Sequence, residues 1–114
     1  MSATVTVGDK TFNLTNGRLI ILRELQDGPK QFMQLRTAYF GPARAEGSAT
    51  TAFYNQLVKN MGEKHGLVMR VGEKGSGKYQ LTTLGTSVLE AAKAQGVDFN
   101  VKSEAQLKFE VKQS

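Results

Sequence analysis

The chain has 114 residues, 39% apolar and 22% charged, and its fifteen Lys and Arg exceed its ten Asp and Glu for a net charge of +5. This is the size and composition of one globular domain, able to hide about two thirds of its unfolded surface, and it excludes a wholly disordered chain and a large multi-layer enzyme. There is no cysteine, which excludes disulfides, thiolate metal sites and a cysteine nucleophile.

The longest apolar run, Leu19-Ile20-Ile21-Leu22, is far too short to span a bilayer. Met1-Ser2-Ala3-Thr4-Val5 lacks the basic start and apolar stretch of a secretory signal. A cytoplasmic location with no membrane association is expected. The charge is concentrated: Gly28 to Gln80 holds eight bases and three acids, while the flanks carry seven of each. A basic middle on a neutral frame points to a polyanionic partner, with a merely solvated lysine-rich surface as the alternative.

Val5 and Val7, then Phe12 and Leu14, alternate around Gly8-Asp9-Lys10, which predicts a hairpin over residues 4–14. Thr15-Asn16 caps a first helix carrying Leu19, Ile20, Leu22 and Leu25, stopped by Gly28-Pro29. A second helix is expected over Gln31 to Tyr39, ended by Gly41-Pro42, with a loop over residues 43–47. Ser48 caps a third helix to about Gly62, with Ala49, Phe53, Leu57 and Met61 on one face and Ser48, Thr51, Asn55 and Lys59 on the other. Asn60 falls near the apolar side, which the periodicity does not explain. Leu67 to Val71 and Lys78 to Leu81 read as strands around a glycine-rich loop, and Thr82 or Thr83 caps a fourth helix with Leu84, Val88, Leu89 and Ala92 inward. Val97, Phe99 and Val101, then Leu107, Phe109 and Val111, alternate like two further strands over residues 97–111. The chain reads as a single domain, residues 1–114, with a core over about 16–95.

The order helix, helix, helix, strand, loop, strand, helix, with Gly66-Leu67-Val68-Met69-Arg70 before the loop and Tyr79-Gln80-Leu81-Thr82-Thr83-Leu84-Gly85 after it, resembles winged helix-turn-helix proteins, and the tyrosine, leucine, threonine and glycine spacing is similar to the end of the wing in MarR-like and PadR-like regulators. The expected class is therefore α+β, a winged helix with short extra β-strands at both termini. The residues also make sense by themselves. Tyr79 and Leu81, two apart on one strand, face the same side; Thr82 can cap the next helix; Gly85 permits a close approach in its first turn.

The resemblance implies duplex DNA binding, with the third helix in the major groove and the wing on the backbone or minor groove. It makes Ser48, Thr51, Asn55 and Lys59 the reading face. Asn can pair bidentately with adenine and Thr can touch a thymine methyl. Lys59, Arg70, Lys74 and Lys78 are expected at phosphates, with Ser76 at the wing tip. Arg44 can reach either bases or backbone, and the backbone N–H groups at Ser48 can hold a phosphate. A solvated helix face commonly carries Glu and Lys, whereas no acid occurs from Ser48 to Gly62.

Gly72 to Lys78 spells most of a phosphate-binding P-loop, but Tyr79 replaces the Ser or Thr that holds magnesium and a strand replaces the required helix. His65, the single histidine, has no cluster of ligands beside it and is expected at the third helix's C-terminus, where a cation is favoured. The helical spacing of Phe32, Met33, Tyr39 and Phe40 assigns them to the core rather than to a base-stacking platform. Asn13-Leu14-Thr15 matches a glycosylation sequon, which has no meaning in a cytoplasmic chain. No catalytic constellation, metal or cofactor is expected. The reading is a small transcriptional regulator or DNA-organising factor that binds double-stranded DNA as a homodimer. The alternative is a winged-helix module that binds a protein partner and no DNA.

Overall fold

The first hairpin sets the N-terminal edge of the molecule. In the computed structural model, which describes residues 2–41, 48–72, 77–103 and 106–107, β1 (Ser2–Val7) pairs antiparallel with β2 (Lys10–Thr15), placing Val5 opposite Phe12. Gly8 takes the left-handed φ of +64° that a two-residue turn with glycine first requires. Period two then buries Val5, Phe12 and Leu14 together.

Thr15 caps α1 (Asn16–Leu25), its hydroxyl accepting from the Arg18 N–H at 3.4 Å. This helix is buried nearly all round, from Leu19 through Leu22 to Leu25, and is the axis of the core. After Gly28-Pro29 comes β3 (Lys30–Gln31), a two-residue strand that the periodicity does not reveal because two residues carry no period. It leads into α2 (Phe32–Phe40), where Gln31 and Gln34 form a reciprocal cap.

The third helix begins as α3 (Ser48–Tyr54) and continues as a π-helical stretch (Asn55–Lys64), where an ordinary α-helix ending near Gly62 was expected. Its buried residues explain the difference. Phe53, Leu57 and Met61 recur at a strict spacing of four. In an α-helix each such step drifts about 40° around the axis. The wider turn of a π-helix, bonded i→i+5, turns the stripe back toward the core. At its end the His65 N–H reaches the Asn60 carbonyl and the Leu67 N–H the Met61 carbonyl.

β4 (Val68–Val71) and β5 (Lys78–Leu81) follow, with Arg70 opposite Tyr79 and Val71 opposite Lys78. β3 pairs with the outer edge of β5, so the sheet order is β3-β5-β4 and the hairpin is tied to the α1–α2 junction. Thr82 caps α4 (Thr83–Ala94), donating its hydroxyl to the Gly66 carbonyl and accepting from the Gly85 N–H. Val88, Leu89 and Ala92 enter the core as expected. The molecule is thus α+β, with four helices and two small antiparallel sheets among the described residues.

The first of the expected C-terminal strands is corrected, and the second lies almost wholly outside the described residues. Residues 97–103 are irregular, residues 106–107 form a helical turn, and 108–111 lie outside the described residues. Val97, Phe99 and Val101 do pack against the core. Alternation reported an extended, one-sided segment, but side chains rather than a neighbouring strand take its carbonyls. Arg23 donates to the Phe99 carbonyl at 3.1 Å and Asn16 to that of Lys102 at 3.0 Å. Ser103, fully buried, donates to the Tyr39 carbonyl, and Gln106 donates to that of Ala38.

Candidate nucleic-acid interface

The third helix and the β4–β5 hairpin stand side by side and enclose a groove of about 440 Å³. Leu57, Val58, Val68 and Tyr79 form its floor, while Tyr54, Glu63, Met69 and Arg70 line the rest. The capped start of α4 and the β3–β5 pairing hold the hairpin in this position.

Thr51, Asn55 and Lys59 are exposed on the third helix, away from Phe53 and Leu57. The π-helical turn begins at Asn55, so the wider winding that keeps the buried stripe in line also limits the drift of these residues. The side chains of Thr51 and Asn55 make no hydrogen bond to a described residue, leaving their donors and acceptors open to solvent. Lys59 differs: it meets Glu63, one turn further on and the first residue after the acid-free stretch, at 3.5 Å. Both side chains are more than half exposed, so the pair stabilises by about 1 kcal/mol at most.

Arg70 contacts Tyr79 twice. Its Nη2 donates to the Tyr79 hydroxyl at 3.2 Å, and its guanidinium lies 5.6 Å from the centre of that ring. The hydrogen bond to the Tyr79 hydroxyl raises its already high pKa. Lys78 is exposed at the start of β5 and, next in sequence to Tyr79, faces the other side of the sheet. Arg70 and Lys78 therefore do not form one cluster. Ser48 opens α3; Arg44, Lys74 and Ser76 lie outside the described residues.

Several groove residues escaped sequence reasoning. Tyr54 falls beside the apolar stripe of the third helix, yet it is 37% exposed and its ring is 6.4 Å from Phe32. Two of the chain's three tyrosines line the groove, a signal visible only once the helix and hairpin are juxtaposed. Met33, expected in the core, is 57% exposed, whereas Phe32, Tyr39 and Phe40 pack inward as expected. Asn60 now has a reason: its amide donates to Gln56 Oε1 at 3.3 Å, which also receives Arg18 Nε at 3.5 Å, forming a polar seam beside α1.

His65 caps the third helix's C-terminus with its ring edge-on to Phe12 at 6.1 Å. Burial, then the charges of Arg18 and Lys64, holds its pKa below the ordinary value, so the cation expected there is disfavoured. Lys78 begins a strand, which denies the P-loop-like run the helix N-terminus that phosphate cradling needs. Among the described residues no three His, Asp or Glu side chains gather as metal ligands, and no helix is long and apolar enough to cross a membrane. No protein-family model, curated protein or solved structure matches the chain.

Proposed function

We propose that this chain is a winged-helix protein that binds duplex DNA without catalysis, as a small transcriptional regulator or a DNA-organising factor. The carrying observation is an exposed Thr51–Asn55 edge on the third helix, the helix that shares a groove with Arg70 of the adjoining hairpin. A helix edge of hydrogen-bonding side chains fits the major groove, and a neighbouring guanidinium fits a phosphate. Thr51 and Asn55 read bases. Lys59, released from Glu63, together with Arg70 and Lys78, neutralises phosphates, and Ser48, Arg44, Lys74 and Ser76 extend the contact from the helix start and wing. The basic middle of the chain steers the approach. Two copies related by a two-fold axis lengthen the site along DNA; a monomeric mass at tens of micromolar, with and without DNA, would count against the homodimer.

The test is anisotropy of a labelled duplex between about 50 and 200 mM salt. Affinity should fall linearly with salt on logarithmic axes, and Lys78→Ala should lower the slope by about one on every sequence. Wild type binding no better than Lys74→Glu, Lys78→Glu overturns the reading. A second reading, docking of a protein partner, is favoured by the groove's apolar floor and by exposed Met33 and Met69. It requires binding that ignores DNA and salt.

A further inference from the structure

Arg70 and Tyr79 are opposite one another in the β4–β5 register, so their side chains rise from the same face of the sheet. They are unequal partners. Tyr79 is only 5% exposed, with its ring wedged 6.4 Å from Phe32, and it cannot move without disturbing the core. Arg70 is exposed and carries a long, rotamer-rich side chain that in isolation would sample many positions. The hydroxyl of Tyr79 restricts it by hydrogen bonding, and the ring adds a cation–π attraction. One guanidinium donor is used, and the remaining donors have no acidic partner among the described residues. The held group borders the groove between the hairpin and the third helix.

We infer that Tyr79 is a positioning residue: it holds the Arg70 guanidinium at the groove so that Arg70 meets one DNA phosphate without first being ordered. This rests on the DNA reading of the site. A core tyrosine thereby raises affinity while touching no nucleotide. It sharpens register too, because an ordered fork accepts a phosphate in fewer orientations than a free lysine.

Tyr79→Phe isolates the effect, since the ring stays and only the hydroxyl is lost. Binding of a labelled 20-base-pair duplex is compared for wild type, Tyr79→Phe, Arg70→Ala and the double variant, with melting temperatures alongside. Tyr79→Phe should weaken binding about 3- to 10-fold. Its salt slope should stay at the wild-type value, because the phosphate contact still forms. Arg70→Ala should weaken binding and lower the slope by about one. The double variant should bind no more weakly than Arg70→Ala. Arg70→Lys, a surface change that leaves the fold alone, should lose affinity while keeping the slope. If Tyr79→Phe binds like wild type while Arg70→Ala is weakened, the role of Tyr79 is overturned and the DNA reading stands. Effects that multiply in the double variant also overturn it, as does full affinity in Arg70→Lys. A wild type that binds no duplex at low salt overturns the DNA reading and this role together.

Discussion

Gly85, in the first turn of α4, lies against the backbone of Leu67 so closely that a Cβ on Gly85 would overlap the Leu67 carbonyl oxygen. The same carbonyl accepts from the Thr82 N–H at 3.0 Å, and the Gly66 carbonyl takes the Thr82 hydroxyl. The exit of the third helix, the start of β4 and the start of α4 are thus joined at one point. Groove geometry depends on that junction, since the hairpin's position follows from it.

Gly85→Ala should therefore destabilise the protein. In an open helix the change would gain about 0.5–1 kcal/mol. Here the obstacle is backbone, which cannot rotate away, and overpacking costs about 1–3 kcal/mol or more. The expected net loss is about 2 kcal/mol in urea unfolding. A stabilised variant would show that α4 can shift without disturbing the junction.

Asn55→Ala should cost about 1–3 kcal/mol on a preferred duplex and little on random DNA. Its side chain is exposed and spends no hydrogen bond on a described residue, so stability should hold within about 0.5 kcal/mol. Competition binding with selected and scrambled duplexes separates the outcomes. An equal loss on both would make Asn55 a backbone contact.

His65 should make stability fall as the solution is acidified. Burial, then Arg18 and Lys64, lowers its folded pKa below the ordinary 6.5, so folding favours the neutral ring. As pH drops through the unfolded value, the unfolded chain gains a proton that the folded chain refuses. Stability then declines until the folded ring itself titrates, below 6.5. Melting temperatures at about pH 8 and about pH 5.5 should differ more for wild type than for His65→Gln. Identical pH dependence would remove His65 from the account.

Deleting residues 97–114 should destabilise the domain by about 3 kcal/mol or more, because Val97, Phe99 and Val101 cover the core and each contributes about 1 kcal/mol when partly buried. The deletion also strips Asn16 and Arg23 of their carbonyl partners. Ser103→Ala tests the strap more gently and should cost about 1 kcal/mol through its bond to Tyr39. A truncated chain that unfolds at the same urea concentration as the full chain would show that the segment does not support the core.

The elements with a strong local signal were legible in the linear chain. Gly8, the Thr15 and Thr82 caps, Gly28-Pro29, and the spacing of Phe53, Leu57 and Met61 each act through neighbours within a turn or two, and the elements follow from them. The exposed Thr51–Asn55–Lys59 edge was legible for the same reason. What lay beyond reach depends on distant partners. β3 exists because β5 supplies hydrogen bonds to two residues that have no pattern of their own. The π-helical winding depends on core packing and on where the chain turns into β4. Residues 97–103 alternate like a strand, but Arg23 and Asn16 reach their carbonyls before any strand does. Arg70 and Tyr79, nine positions apart, become one unit only through strand register. Local sterics and hydrogen-bond capping act along the chain and are written in it; packing and cross-strand pairing join residues that the chain order separates, and tertiary structure alone decides them.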